Sequence, residues 1–484
     1  MEKQLKCVLL LSLKEMALRR VAVLLWSGSD ILASVAKFSS YLHYTQRNQV
    51  EWQITIVDKV VDKVFELELP KLLTWQLNYI VHPIGLEIRN WRERHKFIFF
   101  YDFKDINLLD LAKLRWTTVG AIDYRKTAKE LVCSDALNVV ERYKIACSYC
   151  LDDYIPLLWE KLPEGERREF YSEIISSISL PCLWPYILEG ELDAIDFLWR
   201  TADRNLTSFN QCAFEESAID FNKTAAEYFF QKLTHEEREA SLVRTAVAVL
   251  LSSHLENTKI ETRSNVVRYL LSLMTPEQRV ETFKMSPVDF FLCFLDWPWQ
   301  DLFLENVGLF WTLFPPDLYD SLLDKMMCGD ENSLFYYPEI FKEFFIESPL
   351  DFKRRFVDQD SEDRTPSCYF LSIFCKNGDS RSIEVIFRNV DPADRLKLVF
   401  HPLVLKRFYY CMLDDRWHVV EVCLREATLS NEDRLRLKEA FLESLASNDT
   451  GEIEWKNPKR EKLLCRIINF FLCWEMENNR NVVS

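Results

Sequence analysis

WEKLPEGER (Trp159–Arg167), FQKLTHEER (Phe230–Arg238), LSLMTPEQR (Leu271–Arg279) and FRNVDPADR (Phe387–Arg395) share one plan. An apolar stretch ends, a polar helix start follows, and an arginine closes the stretch. REATLSNEDR, ending at Arg434, is a looser copy. The last apolar residue is Leu162, Leu233, Met274, Val390 or Leu429, always five places before the arginine. Degenerate copies fall near Trp311–Phe314 and Phe345–Pro349, and successive anchors lie about 35–41 residues apart, a period typical of stacked helical repeats.

The polar part of each anchor has a mechanism. Thr234 with Glu237, and Thr275 with Gln278, read as capping boxes, in which each side chain satisfies a free amide of the first turn. Ser430 and Asp433 have the same offset. Pro276 and Pro392 fall at the first helical position, where a missing N–H costs nothing. Helices therefore start just after each anchor, with apolar residues following at three and four, as in Val243, Ala246, Val247 and Leu250.

A second register lies upstream of each anchor. Cys147 and Trp159, Ile187 and Trp199, Ala218 and Phe230, Cys375 and Phe387, and Cys411 and Cys423 are each separated by 12 residues. A turn is expected three residues after the first member, at Cys150 with Asp152 and Asp153, Gly190, Gly378, or Asp414 with Asp415. The pattern predicts helix, short turn, helix, with the paired positions facing a shared core. Trp159, Trp199, Phe230, Trp311 and Phe387 are the expected buried aromatics.

Outward from the repeats, the pattern fades. Residues 53–68 are rich in β-branched side chains, yet Ile56, Val60 and Val64, with Val61 and Leu67, follow helical spacing. Leu108, Leu109, Leu111 and Leu114 continue this region, which reads as a helical N-terminal cap over residues 1–135. Degenerate repeats occupy 136–445. A linker and a capping helix fill 446–484, with Asn457-Pro458 starting a helix through Leu463, Leu464, Ile467, Ile468 and Phe471. End units of such arrays present a polar outer face. The apolar run Cys7–Leu13 meets Lys14, Glu15, Arg19 and Arg20 without a small-residue cleavage site. It reads as a first amphipathic helix rather than a signal peptide.

Composition narrows the functional classes. The 484 residues are 48% hydrophobic and 28% charged, enough to bury a core. Only 9 are glycine. Phosphate cradles, nucleophile elbows and tight hairpins need glycine, so a nucleotide enzyme or β-sandwich is a poor fit. The net charge is −15, with residues 1–135 at +4 and the remainder at −19. Such a body repels nucleic acid and anionic membranes. No apolar run reaches the ~20 residues of a membrane span. The 14 cysteines are scattered among apolar residues, as reduced core thiols are, and this points to the cytoplasm. Sequons at Asn205, Asn222 and Asn448 therefore carry no meaning.

The stretch LSIFCKNGDSRSIEVIFRNV (Leu371–Val390) resembles the two-helix body of an ankyrin repeat. Cys375 takes the small buried position, Gly378 the turn, and Ile383, Ile386 and Phe387 the second helix. KIACSYCLDDYIPLLWEKL (Lys144–Leu162) is similar, more distantly. The T-P-L-H start is missing, and a helix start such as T-P-E-Q-R replaces the β-turn finger. The style is similar to that of degenerate ankyrin-like proteins of arachnids. The resemblance implies protein binding and no chemistry, while absent fingers put the usual binding edge in doubt. At the far end, Leu464-Cys465-Arg466 resembles the core of a SOCS box, which implies docking on a cullin-type ubiquitin ligase. Glu461 and Asn469 stand where that motif has apolar residues, and its proline-rich tail is missing.

Candidate chemistry reduces to structure in each case. Cys147 and Cys150 form a CxxC with no second ligand pair, so zinc is not expected. Asp358, Asp360, Glu362 and Asp363 lack the glycine and glutamate of a calcium loop. Arg89, Arg92, Arg94, His95 and Lys96 interleave with Trp91, Phe97 and Phe99, as single-strand binders do, but Glu87 and Glu93 dilute the patch. A helix end with a solvated basic face is the expectation there. His235 stands in a capping turn. The expectation is an all-α, α-α helical-repeat solenoid with helical caps, acting as a non-catalytic protein-interaction scaffold. No catalytic, cofactor-binding or metal-binding residue is assigned. The expected partner is a protein with a basic or mixed basic-apolar surface. A ubiquitin-ligase substrate receptor is the alternative, and an enzyme with a buried pocket of convergent ionisable groups is a further one.

Overall fold

The structure, a computed structural model, describes residues 5–38, 51–99, 108–173, 179–191, 208–252, 261–313, 318–328, 338–358 and 366–447. Among the described residues it is helical throughout, with no strand and one isolated bridge between Trp116 and Ile122. No helix among them is long and apolar enough to cross a membrane. The chain divides into two compact units, Met1–Leu309 and Phe310–Ser484.

The first unit opens with α1 (Leu13–Trp26), closed by a capping box between Ser12 and Glu15. The helix expected over Cys7–Leu13 thus begins only where that run ends. Upstream, Lys6 is tied in both directions to Asn306, which accepts from its N–H at 2.8 Å and donates to its carbonyl at 2.8 Å, so this backbone is spent elsewhere. Next come α2 (Ser29–Lys37) and a π-turn (Gln53–Val57) that runs into α3 (Asp58–Glu66). Ile56, Val60 and Val64 are buried along one face as the spacing predicts, whereas Leu67 is exposed. The long α4 (Lys71–Phe99) packs along α1, where Gly85 is needed: a Cβ there would sit 2.1 Å from the Trp26 ring. Beyond lie the short α5 (Leu108–Leu111), α6 (Tyr124–Val132), α7 (Val139–Ser148), α8 (Ile155–Lys161), α9 (Glu164–Glu173) and α10 (Leu180–Glu189). Then follow α11 (Phe209–Ile219), α12 (Lys223–Phe230), α13 (His235–Leu251), α14 (Arg263–Leu273), α15 (Pro276–Met285), α16 (Pro287–Leu292) and α17 (Gln300–Leu313).

The second unit is more regular. Three triplets follow one another: α18 (Tyr319–Cys328), α19 (Pro338–Glu347) and α20 (Leu350–Asp358); α21 (Pro366–Asn377), α22 (Ser380–Asn389) and α23 (Pro392–Phe400); α24 (Pro402–Leu413), α25 (Trp417–Ala427) and α26 (Asn431–Ser447). First helices pack on first helices, α18 on α21 on α24, and second on second, α19 on α22 on α25. The core between them is apolar, with Phe341, Phe345, Phe370, Phe374, Ile383, Phe387, Val419 and Cys423 all buried.

Five helices, α7, α10, α11, α21 and α24, end in the same way. The N–H of Leu151, Glu191, Asn222, Asp379 and Arg416 reaches back to the carbonyl of Ala146, Tyr186, Ser217, Phe374 and Cys411, at 2.8–2.9 Å. This is the bond of a Schellman cap, which requires a left-handed residue just before the donor. Those residues are Cys150, Gly190, Phe221, Gly378 and Asp415, with φ between +45° and +74°. Four fall three places after the first member of each 12-residue pair. In the last copy the left-handed residue is four places on, so Met412 rather than Cys411 is the equivalent position. Both are buried, which hides the one-residue slip from a hydropathy pattern.

Four of the five anchor arginines have a defined task, which is to close the helix that precedes each of them. Arg167 donates through Nε to the Leu162 carbonyl at 3.0 Å, Arg279 to Leu271 at 2.8 Å, and Arg395 to Val390 at 3.3 Å. Arg238 reaches Phe230 and Gln231. Each carbonyl belongs to a helix end, where the last four have no partner within the helix and a cation meets the negative pole of the dipole. Lys353 does the same for Ile346 at 2.7 Å in a degenerate copy. A further copy escapes the apolar-to-arginine reading: Asn138 and Glu141 form a capping box, and Arg142 donates to Val132, the last residue of α6, at 2.6 Å.

The aromatic expectation is partly met. Phe230 and Phe387 are buried, Trp159 and Trp311 are half-buried, and Trp199 lies outside the described residues. Trp159 lies at the margin of a ring cluster with Tyr143, Phe170 and Tyr171.

Candidate functional site

The basic and aromatic residues on α4 are not a solvated face. Arg89, Arg92, Arg94 and His95 are all buried, as is Glu87. The Arg92 guanidinium donates to the carbonyls of Val35 and Phe38 at 2.6 Å each, closing the end of α2 as the anchor arginines close theirs. Arg89 lies over the rings of Phe38 and Trp52. Arginine tolerates such burial because its planar fork satisfies several carbonyls at once. These groups are therefore not presented to a nucleic acid. The side chains of Lys96, Phe97 and Phe99 lie outside the description.

Arg94 and His95 belong to a buried polar cluster behind α6. His95 Nδ1 lies 2.8 Å from the Trp91 carbonyl, so that nitrogen carries the proton, and Nε2 accepts from the Tyr149 hydroxyl at 2.6 Å. Burial lowers its pKa to about 3, so the ring stays neutral. Burial raises the Glu87 carboxyl to about 7, against the opposing pull of Arg94 and a hydrogen bond from the Ile122 backbone. Arg94 also bonds to the Tyr124 hydroxyl, whose pKa burial pushes up strongly.

Tyr124 joins this cluster to a cavity of about 780 Å3, in the size range of small-molecule sites. Its walls are the 117–123 loop, α6, the start of α12, and α14, with Trp299 and Glu261 also lining it. Distant residues hold the loop. Arg19 donates to the Val119 carbonyl at 2.8 Å and pairs with Asp301 at 3.3 Å, and Trp297 Nε1 donates to Gly120 at 2.9 Å. Asp123 caps α6 by accepting from the Lys126 N–H at 3.0 Å.

Five cations line this cavity: Arg125, Lys126, Lys129, Lys223 and Arg268. Lys126 is paired with Asp123 at 3.0 Å and Lys223 with Glu227 at 2.6 Å. The other three have no ion pair among the described residues. Arg268 stacks over Trp299, and its Nε is buried without a hydrogen-bond partner. Burial lowers its pKa to about 10. Glu261 is buried, accepts from the Thr224 N–H at 3.2 Å and its hydroxyl at 3.3 Å, and is raised by burial to about 7. The arrangement can bind an anion, and Glu261 can exchange a proton near neutrality.

The remaining sequence candidates fall into place separately. Cys147 and Cys150 are buried, and burial raises both thiols far from the thiolate that redox or metal chemistry needs. Among the described residues no group of His, Cys, Asp or Glu is arranged to hold a metal ion. His235 is an exposed first residue of α13. Asn222, one of the sequons, is buried and donates to the Ser148 carbonyl at 2.6 Å. The Asp360–Asp363 cluster, Leu464-Cys465-Arg466 and the helix expected after Asn457 lie outside the described residues.

None of the cavity residues was singled out in the sequence. They come from four segments spread between residues 117 and 299, and only the run Tyr124-Arg-Lys-Thr-Ala-Lys129 carried a local signal of positive charge. Comparison of the chain with protein-family models gives no match, and comparison with curated proteins gives no significant relative.

Proposed function

We propose that this chain is a non-catalytic protein-interaction scaffold, an α-α helical-repeat solenoid with degenerate, ankyrin-like two-helix bodies. The observation that supports it is the stacking of like on like in the second unit, with links at near-constant sequence distance. Cys411 donates to the Cys375 carbonyl 36 residues back, Arg354 reaches Asp391 across 37, and Arg388 reaches Glu426 across 38. Units that bury one side against neighbours leave a continuous exposed side for a partner. The first unit adds an apolar row on α4, where Leu72, Trp75 and Tyr79 are 64%, 48% and 37% exposed at helical spacing. The partner we expect offers a basic or mixed basic-apolar surface. The free, mostly buried cysteines suit a reducing, cytoplasmic setting.

Proximity labelling with the full chain tests this reading, with L72S/W75S as the matched variant. A defined set of proteins labelled by the wild type and lost from the variant is the expected result. Labelling no richer than that of an unrelated helical protein of similar charge would overturn the scaffold reading.

A further inference from the structure

We propose that the cavity between α6, α12 and α14 binds a small organic molecule bearing at least two anionic groups, phosphates or carboxylates. This goes beyond the scaffold reading and does not depend on it. The argument begins with charge. The chain as a whole is acidic, at −15, yet this one concave surface gathers five cations against Asp123, Glu227 and Glu261. Two of the acids are taken up by Lys126 and Lys223. Glu261 accepts two hydrogen bonds from Thr224 at the floor. Arg125, Lys129 and Arg268 therefore face the cavity with no carboxylate paired to them among the described residues.

Arg268 is the strongest part of the case. Buried Arg92 spends two donors on the end of α2, and buried Arg19 donates to the Val119 carbonyl. Arg268 instead lies on the Trp299 ring with a buried, unmatched Nε and donors left over toward the cavity. A desolvated guanidinium with unused donors is costly, and a bound anion removes that cost with charge-assisted bonds. Arg125 and Lys129 stand one helical turn apart on α6, so they project from one face and can hold a second anionic group at the mouth. Tyr269, four residues before Leu273 on α14, adds an aromatic wall for the organic body of the ligand.

The test is calorimetric titration of the full chain with three probes at fixed ionic strength: pyrophosphate, citrate and uncharged glycerol. Saturable binding of one pyrophosphate or one citrate per chain, with no heat from glycerol, is the expected result. The preferred probe tells phosphate from carboxylate chemistry. R268Q should weaken that binding about tenfold or more, the loss expected for one charge-assisted contact. Because R268Q removes a half-buried side chain packed on Trp299, R125Q/K129Q on α6 is the companion variant, with the same direction expected and folding checked by circular dichroism. Absence of saturable binding to either anion, or equal affinity in wild type and both variants, would overturn the proposal.

Discussion

At the scale of single residues, this molecule reuses one device, a cation closing the end of a helix. The anchor arginines were legible in the sequence because they recur at a fixed offset from a capping residue. Their task was not, because the acceptor is a backbone carbonyl and no side chain signals it. The same blindness explains Arg92 and Arg94, which look like solvated charge on a helix until Val35, Phe38 and Tyr124 are placed around them. Buried carboxyls are equally silent in sequence, and they lead to a pH prediction. Glu261 and Glu87 titrate near 7 in the folded chain against an ordinary 4.5. Between those values the folded state holds protons that the unfolded state has released. Their contribution is thus complete below about pH 4.5 and is lost as pH rises through about 7. His95, kept neutral, acts in the opposite direction below its ordinary 6.5. E261Q isolates one term, since its amide oxygen still accepts from Thr224. The fall in urea-unfolding stability from pH 5 to pH 8 should be smaller in E261Q than in wild type, by on the order of 3 kcal/mol at most. An equal fall in both proteins would show that Glu261 is not held protonated.

At the scale of elements, the repeat was legible where two rules coincide, a capping residue before a helix and a left-handed residue after one. Both depend on local backbone chemistry, so single positions reveal them. Gly190 and Gly378 announced their turns by residue type, and Cys150 by its place in the register beside Asp152 and Asp153, whereas Phe221 adopts the same conformation with a side chain that gives no warning. The 12-residue pairing fixed the core face in α21 and α22 but slipped by one in α24, where Cys411 and Met412 are both buried and periodicity has no grip. Gly378 offers the cleaner test. A Cβ there would meet nothing closer than Arg416 Cδ at 3.9 Å, so space is not the constraint, and φ is +69°. G378A should therefore cost about 1–2 kcal/mol, the penalty of a left-handed L-residue, with helix content unchanged. A cost near zero in equilibrium denaturation would mean that the turn between α21 and α22 relaxes to another conformation.

For the whole molecule, the sequence supplied the helical class through its scarcity of glycine and its period. It could not supply the cavity, which exists only where the 117–123 loop, α6, α12 and α14 come together. Charge is the property that carries from sequence to whole-chain behaviour. Many surface charges are spent on their neighbours: Arg425 on Glu384 at 2.6 Å, Arg388 on Glu426 at 2.8 Å, Arg354 on Asp391 at 3.4 Å. Exposed pairs of this kind contribute little to stability, roughly 0–1 kcal/mol each. Each also removes one charge of each sign, so such pairs leave the net charge of −15 unchanged. An excess of that size attracts an oppositely charged partner at long range, and salt screens the attraction beyond ~8 Å at physiological ionic strength. Association with the protein partner proposed above should therefore slow as salt rises, while dissociation changes less. Biosensor kinetics on the leading partner, at low and high salt, measure both rates. A partner that is itself acidic and associates at a salt-independent rate would confine the charge to keeping a chain that is 48% hydrophobic in solution.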